Sequence, residues 1–300
     1  MTNLNTTTPR HVREALARIG RRIELFETAA LFTDMHADAT AQSLVSRDVR
    51  YGPDERNVLD VFVPSVVSDR PRPLVVFVPG GGFTQGGKRP GELIPGVPTY
   101  FYDNVARWVA TQGMVGVVAD YRLAPAHGFP AGVEDLEALI MWASNEAVHF
   151  GVDPGSVFLW GHSAGAAHVA DFVAARWQDH PRTLRGAILT SGFYVLPDDR
   201  VSEWHAYYGR DVARYKERSS LPGLTRCEVP LLVTDAELDP EPFKLQAQRL
   251  ESACKQRGKA VQRAHVPFHS HLSEIFAIGT SDDSLTGPVS RFVRANHQRS

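Results

Sequence analysis

The chain of 300 residues is short of several things, and each shortage closes off a class of protein. It has two cysteines, Cys227 and Cys254, too far apart for metal-ligand spacing. That excludes a zinc ribbon or a disulfide scaffold and leaves two free thiols, as expected in a reducing compartment. There is no excess of charge: 32 Lys and Arg against 34 Asp and Glu give a formal net charge of -2. Nothing electrostatic therefore favours nucleic acid or an anionic membrane as a partner. No apolar run reaches the length of a membrane span. None follows the polar start Met1–Thr8 either, which is expected to be disordered, so no signal peptide is expected and a cytoplasmic location is. Internal repeats, low-complexity linkers and His/Cys/Asp/Glu clusters with ligand spacing are all missing, so no metal and no cofactor are expected.

What is present alternates. Val12, Leu16 and Ile19, then Ile23, Phe26 and Leu31, have helical spacing, with Gly20 as the break. Residues 43–51 and 58–63 flank Gly52-Pro53-Asp54 and predict a hairpin. Pro73–Val78 is a continuous apolar run, the mark of a strand buried on both faces. After it come a helix over 101–112, a strand over 114–119, a helix over 131–150, a strand over 156–160 and a helix over 164–177. Strands over 186–190, 229–234 and 260–266 follow, with helices over 241–256, 272–278 and 289–295. Strands alternating with helices predict an α/β class with a mainly parallel sheet of about eight strands. Residues 191–222 interrupt the alternation and hold Phe193, Tyr194, Trp204, His205, Tyr207, Tyr208 and Tyr215. The expected division is one domain over 1–300, with a helical cap built from about 9–37 and 191–222.

The strongest local signal is Gly161-His162-Ser163-Ala164-Gly165, between an apolar strand and a helical pattern. This is G-x-S-x-G, in which glycines let a serine sit on a tight strand-to-helix turn with its hydroxyl pushed clear of the sheet. A serine hydroxyl is a poor nucleophile and needs a base, which in turn needs an orienting acid. In this arrangement the order along the chain is Ser, acid, His. The acid should follow a strand, and Thr234-Asp235-Ala236-Glu237-Leu238-Asp239-Pro240 supplies candidates. Asp239 is favoured because Pro240 opens the next helix, whereas Asp235 at the strand end suits a turn tie. The base should follow the last strand. His271, abutting a helix start, is favoured, His269 is the fallback, and His265 lies within the strand.

An oxyanion formed in acyl transfer needs backbone N–H donors already in place. The loop Pro79-Gly80-Gly81-Gly82 offers them, and the Ala164 N–H is another. Two other uses of the glycine loop fit less well. Gln85 stands where a dinucleotide fold needs its third glycine. Arg89 stands where a phosphate-binding loop needs its Mg²⁺-binding hydroxyl, so nucleotide binding is not expected.

Taken together, Gly80-Gly81-Gly82-Phe83, Tyr121-Arg122-Leu123-Ala124-Pro125, Phe129-Pro130-Ala131 with Glu134-Asp135, the serine turn, Ala236-Glu237-Leu238-Asp239-Pro240 and His271 resemble the hormone-sensitive-lipase-like branch of the α/β-hydrolases. They also resemble the neighbouring carboxylesterases and arylformamidases. The resemblance runs from about Pro73 to Ile278. It implies Asp239 as the acid, oxyanion donors at Gly81, Gly82 and Ala164, and a cap over the site. One departure stands out: Pro79 occupies the place of the usual histidine in His-Gly-Gly-Gly, removing an imidazole and a backbone donor from the loop.

The expectation is thus a cofactor-free serine hydrolase with the triad Ser163, Asp239 and His271, acting on a small ester. Amide, formamide or lactone hydrolysis with the same machinery is the alternative, and a non-catalytic ligand receptor on this fold is a third reading. Phe83, His162, Trp204, Tyr207 and Tyr208 are the candidate pocket residues. Aromatic side chains with polar tips suit a closed pocket for one small molecule, so short-acyl esters are expected over long-chain fats. A homo-oligomer is compatible with the sequence and is not specified by it.

Overall fold

The computed structural model describes residues 8–36, 43–196 and 202–297; the first seven residues and parts of both cap segments lie outside them. Helices α1 (Arg10–Ile19) and α2 (Leu25–Phe32) lead into strands β1 (Ser43–Arg50), β2 (Val58–Pro64) and β3 (Arg72–Val78). Then come α3 (Pro90–Leu93), α4 (Asp103–Thr111), β4 (Val115–Ala119), α5 (Ala131–Asn145), β5 (Val152–His162), α6 (Ala164–Arg176) and β6 (Leu184–Thr190). The short helices α7 (Ser202–Tyr208), α8 (Tyr215–Arg218) and α9 (Leu221–Leu224) precede β7 (Leu231–Leu238), α10 (Glu241–Gln256), β8 (Gln262–Ser270), α11 (Ser273–Phe276) and α12 (Thr286–His297).

The strands form one eight-stranded sheet in the order β1-β2-β4-β3-β5-β6-β7-β8. Strand β2 runs against both neighbours, and from β4 to β8 every pairing is parallel. The apolar run of β3 explains how the sheet is covered. Leu74, Val76 and Val78 face one way, among Leu139 and Ile140 of α5 and Val169 and Phe172 of α6. Val75 and Phe77 face the other, among Val105 and Val109 of α4 and Val289 and Phe292 of α12. Alternate side chains of one strand thus feed two separate cores, which only a strand with helices on both faces can do.

Several boundaries differ from the sequence reading. Strand β5 begins at Val152 rather than Ser156, and β7 runs past Thr234 to Leu238. Strand β8 continues to Ser270, so His269 lies inside the strand rather than beyond it. In each case the extra residues pair with a neighbouring strand (Leu238 with Ser270, for example), a long-range contact that local periodicity does not carry. Helix α5 stops at Asn145, and a separate 3₁₀ turn covers Ala147–Phe150.

The two segments expected to form a cap pack differently. From α1 and α2, Val12, Leu16, Ile19 and Phe32 join the core that also holds α4 and α11. From the later segment, Leu196, Trp204, Tyr207, Tyr208 and Tyr215 form a third cluster with Phe83, Ala164 and Ala167, directly over the start of α6. Arg21, just past α1, pairs with Glu241 at the head of α10, which brings the first segment to the same rim of the sheet. Among the described residues no helix is long and apolar enough to cross a membrane.

Candidate active site

The carboxyl ends of β3, β5, β6, β7 and β8 converge on one crevice, the place where open parallel sheets put their ligands. At its centre Ser163 closes β5 and caps α6, with φ 54° and ψ −121°. A residue other than glycine rarely holds such a backbone, and the flanking contacts show what enforces it. A Cβ on Gly165 would stand 2.0 Å from the Val78 carbonyl oxygen and 2.5 Å from that of Pro79. Helix α6 therefore rests directly on the end of β3, and only glycine permits that approach. The Ser163 N–H donates to the Thr190 carbonyl at 3.0 Å, tying the turn to β6.

The turns after β7 and β8 bring Asp239 and His271 to this serine. His271 Nδ1 lies 2.8 Å from Asp239 Oδ1, and His271 Nε2 lies 2.9 Å from Ser163 Oγ. A carboxylate only accepts, so Nδ1 carries the proton and Nε2 is left free to accept from the serine hydroxyl. Asp239 is fully buried, and burial alone would raise its carboxyl. Hydrogen bonds from His271, Ser191 and the Ala236 N–H outweigh burial and hold it below the usual carboxylate range.

The other candidates are placed elsewhere. Asp235 sits within β7, where its carboxyl pairs with Arg263 and, at 3.2 Å, with His265, both on β8. It ties two strands together. His269 is buried, 3.0 Å from Ser273 Oγ and 3.3 Å from Asp282 Oδ2, and points away from the serine.

The glycine loop lies against the serine turn. Gly81 has φ +143°, and a Cβ there would fall 2.0 Å from the Gln85 carbonyl oxygen. The Ala164 N–H opens α6, where no carbonyl four residues back lies within the helix to bind it. The missing loop histidine is replaced by other supports. The Tyr121 hydroxyl donates to the Pro79 carbonyl at 2.9 Å, Arg56 Nη2 donates to the Gly86 carbonyl at 3.2 Å, and the Lys88 N–H donates to Asp120 at 2.6 Å.

His162 is buried behind the triad. Its Nε2 donates to the His271 carbonyl at 2.8 Å, and burial lowers its pKa to about 3, so it is neutral. Its Nδ1 faces Gly80. Tyr207 and Tyr208 use their hydroxyls to hold the α7 segment to the body. Tyr207 Oη accepts from the Gly132 N–H at 3.0 Å, and Tyr208 Oη donates to Asp171 Oδ2 at 2.7 Å. Phe83 stacks on Tyr207 at 4.8 Å and meets Trp204 at 5.8 Å. From Trp204 an aromatic arc continues through Phe193 at 4.2 Å and Phe243 at 4.3 Å to the His271 ring at 4.2 Å. Phe243 escaped the sequence reading because an aromatic at helical spacing in α10 looks like any core residue.

Ser191 and Glu274 also escaped it. Ser191 Oγ lies 2.6 Å from Asp239 Oδ2 and 2.5 Å from Glu274 Oε1. Burial and the nearby Asp239 charge push the Glu274 carboxyl well above its ordinary range. The donor atoms of His162, His271 and Glu274 also lie within 4.8 Å of one another, a grouping that no sequence spacing signals. Both His271 nitrogens are already engaged by Asp239 and Ser163, so this set lacks a third free donor for a metal.

Residues 59–188 match the family model described as BD-FAE. Esterase LipQ of Mycobacterium tuberculosis is 33% identical over 255 residues, covering 77% of this chain and 58% of LipQ. Carboxylesterase NlhH of the same organism is 40% identical over 106 residues, 35% of this chain and 30% of NlhH. The chain thus spans a little over half of LipQ and under a third of NlhH. Among solved structures, esterase B of Lactobacillus rhamnosis superposes with a TM-score of 0.72 at 18% identity, covering 96% of this chain and 94% of that one. A bacterial heroin esterase superposes with a TM-score of 0.70 at 21% identity, covering 99% of this chain and 100% of the other. With its sheet order, its serine turn and these structural likenesses, the chain has the α/β-hydrolase fold.

Proposed function

We propose that the chain hydrolyses short-acyl carboxylic esters through an acyl-enzyme on Ser163. The observation that carries this reading is His271, bridging Asp239 at 2.8 Å and Ser163 at 2.9 Å. As Ser163 Oγ attacks the ester carbonyl, His271 Nε2 takes its proton, and Asp239 fixes the imidazole and balances the imidazolium. The N–H groups of Gly81, Gly82 and Ala164 stabilise the oxyanion. Collapse expels the alcohol, which takes the proton from His271. Water then attacks the acyl-enzyme by the same route and releases the acid. Besides ester and water, each step uses only side chains and backbone of this chain.

Two further observations support an ester and a small one. LipQ and NlhH bear the names esterase and carboxylesterase. The arc Phe83–Trp204–Phe193–Phe243 runs to the His271 ring, and its apolar, rigid side chains suit a neutral substrate of limited length. About 9–37 and 191–222 form the cap of a single domain in this reading, with residues 37 and 197–201 outside those described. Two unpaired buried cysteines fit a reducing, cytoplasmic location.

The test is kcat/KM for p-nitrophenyl acetate, butyrate, octanoate and palmitate, with N-formyl aryl amines and lactones alongside. The expected peak is at acetate or butyrate. A peak at octanoate or beyond, or faster cleavage of the formamides, would replace the reading. Ser163→Ala should abolish turnover without unfolding the protein, and a fluorophosphonate should label Ser163 alone.

A further inference from the structure

The proton count around Ser191 does not close with two carboxylates. Its hydroxyl carries one hydrogen, yet its oxygen lies 2.6 Å from Asp239 Oδ2 and 2.5 Å from Glu274 Oε1. One hydrogen serves one contact. The other contact needs a second proton, or two oxygen lone pairs would face each other at hydrogen-bond distance.

The neighbours decide where that second proton sits. Ser191, Asp239 and Glu274 are all essentially without solvent exposure. Asp239 already accepts from the His271 Nδ1–H and from the Ala236 N–H as well. Glu274 has no such company. Of the groups that face it, His162 on β5 is 3.8 Å away and neutral, its Nε2–H spent on the His271 carbonyl. Arg263 on β8 is spent on Asp235 of β7. Glu274 Oε2 meets no donor among the described residues. A buried carboxylate with one oxygen unserved and no cation is far costlier than a buried carboxylic acid that donates one good hydrogen bond.

We propose that Glu274 is a carboxylic acid in the resting protein, donates to Ser191 Oγ, and thereby turns the Ser191 proton onto Asp239. Glu274 is a positioning residue: it never touches substrate. With Oδ2 pinned by Ser191 and Ala236, the Asp239 carboxylate cannot swing about its own axis, and Oδ1 stays aimed at His271 Nδ1. Keeping Glu274 neutral also leaves one negative charge, not two, behind the imidazole.

The kinetic part of the test rests on the ester-hydrolase reading; the spectroscopic part does not. Glu274→Leu removes the donor and should lower kcat about tenfold with KM unchanged. Glu274→Gln keeps an N–H donor and should recover to within about threefold of the parent. Ser191→Ala should match Glu274→Leu, and the double variant should fall no further, since both break one chain of bonds. Infrared difference spectra of the parent against Glu274→Gln at neutral pH should show a carboxylic-acid C=O band that the variant lacks. A missing band overturns the proposal, and so does a Gln variant as damaged as the Leu variant. If Glu274→Leu does not fold, Ser191→Ala and the infrared band still decide. A band without any ester turnover by the parent would sink the functional reading and leave the proton assignment standing.

Discussion

The loop after β3 and the turns after β7 and β8 meet at Ser163, but they are held in opposite ways. The glycine loop is fixed by backbone against backbone: Gly81 closed on the Gln85 carbonyl, Gly165 pressed onto the Val78 carbonyl. The acid and base are fixed by side chain against side chain, through the bonds joining Glu274, Ser191, Asp239 and His271. The first kind of support leaves no room for one added carbon. The second accepts a change of atom wherever the hydrogen bond survives, and fails where it does not.

The sharpest way to probe the side-chain half is to change one oxygen. Asp239→Asn should cut kcat by about 10³- to 10⁴-fold, because the amide favours the wrong imidazole tautomer. Asp235→Asn, four positions earlier, should cost less than about tenfold, since it loosens a strand pairing and no reacting atom. His269→Ala should lower Tm while leaving kcat within about tenfold, as it removes contacts to Thr8, Phe32, Ser273 and Asp282 and none to Ser163 or Asp239. If His269→Ala cost more activity than His271→Ala, the assignment of the base would be wrong.

Next in size is a change to the backbone half. Gly165→Ala should cost about 3 kcal/mol or more in denaturant unfolding, because helix α6 must lift off β3 to seat the methyl. A stable, active alanine variant would erase the contrast between the two halves. A smaller effect is expected for Tyr121→Phe. It strips the Pro79 carbonyl of its donor, so stability should drop by about 1–2 kcal/mol and kcat should fall more than KM changes.

The smallest effect concerns the cap. Burial raises the Asp171 carboxyl to about 8, with Tyr208 donating to it. Its folded pKa lies above the unfolded value, so the folded state holds a proton that the unfolded state has lost. Stability from this group is full in acid and fades as pH climbs toward 8. Asp171→Asn should flatten that decline, and its Tm relative to the parent should rise between pH 5 and about 8. A Tm difference that does not vary with pH would mean that Asp171 is already ionised.

The same contrast explains what the sequence could reveal. Backbone-held features leave compositional marks: the loop 80–82 and the turn 161–165 are legible because an added Cβ at Gly81, Gly161 or Gly165 would run into backbone. Asp239 and His271 were legible by order along the chain and by the helix starts behind them. Ser191 and Glu274 left no mark, because a serine at a strand end and a glutamate one residue into a helix are ordinary locally. They gain meaning only when β6 and α11 come together. Phe243 was hidden for the same reason. The ends of β7 and β8 were misplaced because their last pairings are with each other, across more than a helix of intervening chain.

One consequence follows from the rest of α6 on the end of β3. In the proposed mechanism, nucleophile and oxyanion donors sit on a single rigid block, so their spacing is settled before any substrate arrives. The aromatic segment over it is attached separately, by the Tyr207 and Tyr208 hydroxyls and by ring contacts. Chemistry and choice of substrate are therefore carried by parts that can change independently. On the proposed function, rewriting residues 202–224 would admit a different ester while the reaction below keeps its geometry.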